Sequence, residues 1–193
     1  MAAHDNRVVL GALIEFIWAV TGAGIAVALY PVLRRYNRGL ALGAASCRIV
    51  ENVFVLVGTL SLLVLLTLDQ ETVAGGSADP SALQASGSLL LAARDWVAGF
   101  VGYIPFLLGA SMYYYLMYKG RLVPRWLSGW GLVAVAVSLA ATIYFGFTQE
   151  LGSATASTAL NAPLLLQEMV LAVWLIVNGF NRSALASGAG SQG

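Results

Sequence analysis

The chain has 193 residues, 59% of them hydrophobic and only 10% charged, with a formal net charge of +1 and a mean hydropathy of +0.80. Soluble domains carry about a quarter charged residues, so an ordinary water-soluble domain is excluded, and the near-neutral balance gives no field for nucleic acid. One cysteine, Cys47, and one histidine, His4, exclude an internal disulfide, a thiolate or His-based metal site and Ser-His-Asp chemistry; no metal or organic cofactor has a recognisable ligand set.

The apolar residues gather into five runs, each long enough for a helix to cross a bilayer, which takes ~20 residues. Helices rather than strands follow because backbone in lipid must satisfy its own hydrogen bonds. The first span runs about 9–32 and ends near Pro31 and Arg34; no basic segment precedes it, so it does not have signal-peptide form. The second is about 39–68 and contains the stretch "CRIVEN". The third, about 83–118, is too long for one perpendicular crossing at ~1.5 Å per residue, so its first turns stand in the interface or outside, and Pro105 is placed to kink it. The fourth is about 127–148 and the fifth about 158–180. Residues 69–88 read as a polar loop rich in Gly, Ser and Ala, and 183–193 as a disordered small-residue tail.

Charge sorts the connections. Arg34, Arg35 and Arg38 lie between spans one and two, Lys119, Arg121 and Arg125 between three and four, and Arg182 after five, with no acid among them. The other connections hold Asp69, Glu71, Asp79 and Glu150. Basic loops stay cytoplasmic. The expectation is an all-α integral membrane bundle in the cell membrane, one domain over 1–182, N-terminus outside and C-terminus in the cytoplasm.

Six charges remain inside or near the apolar zone: Glu15, Arg48, Glu51, Arg94, Asp95 and Glu168. Each costs about 2.5–3.5 kcal/mol on insertion scales, so they are expected to face inward and pair. Counting from the span ends puts Glu51 and Glu168 near mid-membrane and Glu15 and Asp95 nearer the outside. Arg48 and Glu51, spaced i,i+3, share one helix face. That pair reads either as a structural ion pair or as Arg48 orienting an acidic group. Asp95, Gly99, Gly102 and Gly109 fall on one line at helical spacing, the glycines serving close helix packing. Aromatic residues interleave with the acids: Trp18 follows Glu15 by three, Phe54 follows Glu51 by three, Trp96 adjoins Asp95, and Trp174 shares the fifth span with Glu168.

An acid screened from water can keep its proton, and ring faces stabilise cations. Acids and rings together are what a cavity for an unsaturated lipophile needs. Glu51, Glu168 and Asp95 are then candidate catalytic acids with Arg48 orienting; Glu15, Trp18, Phe54, Trp96 and Trp174 are candidate substrate-binding residues.

Three blocks, "LYPVLRRYNRGLALG" (29–43) running into "CRIVEN", "LMYKGRLVPRWLSGWGLV" (116–133) and "LLLQEMVLAVWLIVNGF" (164–180), carry a resemblance over about residues 7–182. The chain resembles an uncharacterised family of small multi-pass bacterial membrane proteins, domain-of-unknown-function family four-three-eight-six. The resemblance implies that Arg48, Glu51, Pro124, Arg125 and Glu168 fall on family motif positions. It supplies no reaction. It also implies a further span upstream in many members, and a bundle lacking one would have an open side for a partner or a second copy.

Three functional readings stay open: an intramembrane acid–base enzyme on a lipophilic substrate, analogous to membrane-embedded terpene cyclases; a non-catalytic lipid-binding, sensory or assembly module; and, less favoured because no repeat is visible, a proton-coupled carrier. The expected partners are the lipid bilayer, a lipophilic small molecule and a second copy of the chain.

Overall fold

The computed structural model describes residues 2–73, 80–148 and 154–189. Seven α-helices follow in order among them: α1 (Ala2–Leu33), α2 (Arg38–Val73), α3 (Pro80–Trp96), α4 (Tyr103–Gly120), α5 (Arg125–Thr148), α6 (Ala154–Val177) and α7 (Arg182–Ala189), with a π-turn (Val97–Val101) joining α3 to α4. No strand occurs among the described residues. Five segments are long and apolar enough to cross a membrane: 6–33, 38–70, 81–120, 125–148 and 159–177. They coincide with the five expected spans.

The helices are apolar on nearly all sides, so water cannot be the medium around them. Val9, Leu13, Ile17 and Val20 on α1 and Leu166, Met169, Val173 and Ile176 on α6 all lie exposed on the outside of the bundle. Contiguous apolar surface on this scale would be unstable in water and is what lipid requires. One seam of the interior is built from small residues, beside a core of larger ones such as Leu107, Tyr114 and Met117. On α1, Ala12, Ala19, Ala26 and Leu33 recur every seven residues and are buried, with Gly22 beside them. Small side chains on one seam let helix backbones approach, the main source of packing energy in lipid.

α2 is the central helix. It packs on α1, α3, the π-turn and α4, while α4 packs on α5 and α5 on α6. At Gly109 of α4 a Cβ would stand 3.1 Å from Cys47 Cβ and 3.2 Å from the Ala44 carbonyl of α2. That glycine therefore sets the distance between the two helices. The order α1–α2–α4–α5–α6 makes an open arc, and its ends α1 and α6 face each other across a groove.

The π-turn lies just ahead of Pro105. Proline has no N–H and its ring clashes with the carbonyl four residues earlier; a widened turn absorbs both. Gly102 N–H donates to Val97 O at 2.8 Å, five residues back.

Two expectations at the chain's polar segments need correction. Helix α2 continues to Val73 and α3 begins at Pro80, so most of the expected loop over 69–88 is helical, and 74–79 lie outside the described residues. The expected disordered tail is also helical at 183–189, within α7, with 190–193 outside the described residues. Ala184 is buried, and the Tyr36 hydroxyl donates to its carbonyl at 2.7 Å. This burial pushes the Tyr36 hydroxyl above its ordinary pKa, with Arg35 opposing. One hydrogen bond ties α7 to the α1–α2 connection, and the composition of the tail carries no sign of it.

Candidate functional site

Among the described residues, the ion-paired side chains inside the bundle fall into two separate clusters. The first joins α1, α2 and α3. Arg94 makes an ion pair with Glu15 and donates to the Gly58 carbonyl at 3.2 Å, while the Thr59 hydroxyl donates to Glu15 Oε2 at 2.6 Å. Both oxygens of Glu15 are engaged, because Arg94 reaches them through both terminal nitrogens. The cluster is closed on itself.

The second cluster lies between α2, α4 and α6. Arg48 Nη1 is 3.0 Å from Glu51 Oε2. The N–H does not point at the carboxylate, so neither atom has a properly aligned hydrogen bond; the contact is an ion pair by proximity. The Arg48 guanidinium also lies over the Phe106 ring, 4.7 Å from its centroid. Its charge attracts Glu168 of α6 as well as Glu51. Glu168 Oε1 accepts from the Tyr113 hydroxyl at 3.1 Å. Deeper in, Tyr114 and Gln167 are wholly buried; the Gln167 amide donates to the Leu127 carbonyl at 3.2 Å, while Gln167 Oε1 and Tyr114 OH make no well-aligned hydrogen bond among the described residues, although Tyr114 lies close to Tyr113 and Gln167. Further along, Tyr103 OH donates to Asn161 Oδ1 at 3.0 Å. Helix α2 supports the cluster from behind: the Asn52 amide donates to the Arg48 carbonyl at 2.6 Å and packs on Gly22 of α1.

The second cluster opens to the outside. A groove of about 560 Å³ runs between α1 and α6, walled by Gly22, Ile25 and Leu29 on one side and Leu165, Ala172 and Leu175 on the other. Arg48, Tyr113, Tyr114 and Glu168 line it too, and Trp18 stands at its edge. The groove is thus an apolar trough with a cation, an acid and two phenols along its floor. It can take a lipophilic body and offer its polar end hydrogen-bond donors and an acceptor.

The expected site residues divide accordingly. Arg48 and Glu168 reach the groove; Glu51 is buried behind Arg48 and does not line it. Trp18 reaches the groove, whereas Glu15 is held in the first cluster. Phe54 is half-buried and packs against Gly102 at the π-turn. Trp174 faces away, toward the connection between α4 and α5. Asp95 is exposed on α3, as is Trp96, whose ring meets Phe100 edge-on at 5.6 Å. Asp95 is therefore removed from the converging acids.

The cause is the π-turn. At ordinary helical spacing Asp95, seven before Gly102, shares its inward face. A π-turn inserts one residue and rotates everything before it by about 100°. Arg94 takes the inward position, and Asp95 turns out. Sequence reasoning also passed over Thr59, eight residues after Glu51 and so on the same side of α2, and Phe106, whose role as a platform for Arg48 depends on the α2–α4 crossing. Among the described residues, no three His, Cys, Asp or Glu side chains are grouped to hold a metal ion.

The fold and this floor define a class: an α-helical membrane bundle with a side groove over buried polar residues. The family follows from the sequence, since the profile of the domain-of-unknown-function family DUF4386 matches residues 1–179. The chain belongs to that family. No curated protein and no solved structure matches it.

Proposed function

We propose that this protein binds a lipophilic molecule from the bilayer in the groove between α1 and α6, with the molecule's polar end at Arg48, Tyr113 and Glu168. The observation that carries the reading is that Glu168, the acid with only a phenol as hydrogen-bond partner, lines the same trough as apolar Ile25, Leu29 and Leu175. Polar groups in lipid are expensive and are kept where they face a cavity or a partner. Arg48 is already balanced by Glu51, so the floor favours a ligand whose end is neutral and oxygen-bearing over a second anion.

A second reading is favoured by the same acid. Glu168 meets the trough beside Tyr113, Tyr114 and Trp18, which is the equipment of a proton-initiated isoprenoid cyclisation. Glu168 would give its proton to an alkene carbon or epoxide oxygen, the rings would stabilise the cation, and the cation would end by returning a proton to the carboxylate. The candidate acids narrow to Glu168, with Glu51 holding Arg48 in place. The charge asymmetry of the connections supports the cell membrane as location, with the arginine-rich connections on the cytoplasmic side. Labelling in a Cys47→Ala background checks this: Asn37→Cys is expected to react only from the inside and Asp69→Cys only from the outside.

The functional test is purified protein incubated with a membrane lipid extract and unsaturated isoprenoids, followed by mass spectrometry of what stays bound and what changes. An unchanged lipophile, retained by the wild type and held more weakly by Glu168→Gln, supports binding. A new cyclic product that disappears in Glu168→Gln supports the enzyme. Neither retention nor turnover contradicts both.

A further inference from the structure

A second hollow lies at the arginine-rich end of the bundle, away from the groove floor. Its volume is about 570 Å³, and its lining includes Arg121 and Arg125 from the α4–α5 connection, Trp174 of α6, and Asn178 and Asn181 beyond it. Among the described residues, no acidic side chain lines it. Its walls are fixed by backbone rather than by loose side chains. Arg121 has φ 51, the only non-glycine residue with positive φ among the described residues, and its N–H closes onto the Met117 and Tyr118 carbonyls. A left-handed arginine is uncommon, since asparagine or glycine suits that position better. Asn181 N–H donates to the Leu122 carbonyl at 2.9 Å, clamping the end of α6 to this connection. The Arg125 guanidinium lies over the Tyr118 ring at 5.3 Å from its centroid, and both arginines remain exposed.

Beside this hollow runs a shallow apolar trough of about 360 Å³ along α6, lined by Met169, Val170, Val173, Trp174, Val177 and Asn178. The two share Trp174 and Asn178. A cationic pocket and an apolar channel therefore meet at a tryptophan and an amide.

We propose that these joined hollows bind an anionic phospholipid, its phosphate held by Arg121 and Arg125 with an asparagine amide, and one acyl chain laid along Met169, Val173 and Val177. Guanidinium forks match phosphate oxygens in geometry and charge. Tryptophan suits the level where chain meets headgroup, and basic pockets between membrane helices suit anionic headgroups. A free anion would use the hollow alone and leave the trough empty. This site meets the α1–α6 groove only at Met169, which lines both the trough and the groove.

The test is native mass spectrometry of the full-length protein in detergent, titrated with dioleoyl phosphatidylglycerol or dioleoyl phosphatidylcholine. The wild type is expected to prefer the phosphatidylglycerol. Arg121→Gln and Arg125→Gln are each expected to weaken that lipid about fivefold, the scale of one basic residue at an anionic lipid surface. Trp174→Ala is expected to weaken both lipids alike, and the exposed Arg34→Gln to weaken neither. Equal binding of the two lipids by the wild type overturns the proposal, as does undiminished phosphatidylglycerol binding in the double arginine variant. Competition by inorganic phosphate alone, matching that of the lipid, marks a free-anion site and also overturns it. Should the double variant fold poorly, the wild-type preference and the phosphate competition decide the matter by themselves.

Discussion

The two polar clusters use the same residue types and differ in what they leave undone. Around Glu15, a guanidinium, a hydroxyl and a carbonyl close the set, and every charge has an opposite partner. Around Arg48, the ion pair is close but misaligned, Tyr114 OH and Gln167 Oε1 make no well-aligned hydrogen bond among the described residues, and Glu168 looks into an apolar groove. Burying a polar atom without a hydrogen bond costs about 1–3 kcal/mol. Of these groups Arg48, Tyr114 and Glu168 line the groove, where a bound molecule can reach them, while Gln167 does not. The contrast teaches that charge inside the membrane is not by itself a mark of function: the satisfied cluster ties helices together, and the unsatisfied one is the place to look for a ligand.

The largest effect should come from breaking the satisfied cluster. Arg94→Ala leaves Glu15 without its counter-charge, and loss of one partner from a buried pair costs about 3–5 kcal/mol. The pair's side chains are 27% exposed, so a smaller loss of about 2–3 kcal/mol is expected, at or below the bottom of that range. Reversible unfolding in mixed micelles measures it; an unchanged midpoint would erase the distinction between the clusters. Next comes Gly109→Val, whose added carbons meet Cys47 and the Ala44 carbonyl. Overpacking typically costs about 1–3 kcal/mol, and the same unfolding assay reads it, together with reduced lipophile retention as the floor shifts.

Glu168→Gln should behave in the opposite sense. It keeps the shape and the bond from Tyr113 to an oxygen, so stability is expected to change by less than about 1 kcal/mol. Retention of the groove's ligand should fall roughly five- to tenfold, the value of one hydrogen bond to a charged or polar group. The smallest effect belongs to Asp95→Asn. Its side chain is exposed, and surface changes away from special features stay within about 0.5 kcal/mol. A large loss of stability or retention in that variant would return Asp95 to the interior.

The sequence discloses the five spans because each is a long apolar run bounded by polar residues, and a helix in lipid has no alternative partner for its backbone. It discloses Arg48, Glu51 and Glu168 as interior because their insertion cost demands it. The Arg48–Glu51 contact is legible from i,i+3 spacing alone. Other parts are not legible, for particular reasons. The one-residue register change at 97–101 follows from a backbone choice near Pro105, and it exchanges Arg94 for Asp95. The groove depends on which helices fail to meet, and no local pattern in α1 or α6 encodes that. The Ala12–Ala19–Ala26 seam is visible as a seven-residue repeat, but only the packing shows that it faces α2 rather than lipid. Trp174 lies on the same helix as Glu168, yet six residues of helix turn it to another side.

The most direct test fills the groove without touching its floor. Ala172 is exposed and lines the groove wall, so Ala172→Trp should leave folding intact and occupy the space a ligand needs. Mass spectrometry of lipophiles released from purified wild-type and Ala172→Trp protein compares the two. The expected result is a lipophile carried by the wild type and absent from the variant, with phosphatidylglycerol binding the same in both. An identical set of released lipophiles in the two proteins would contradict the account.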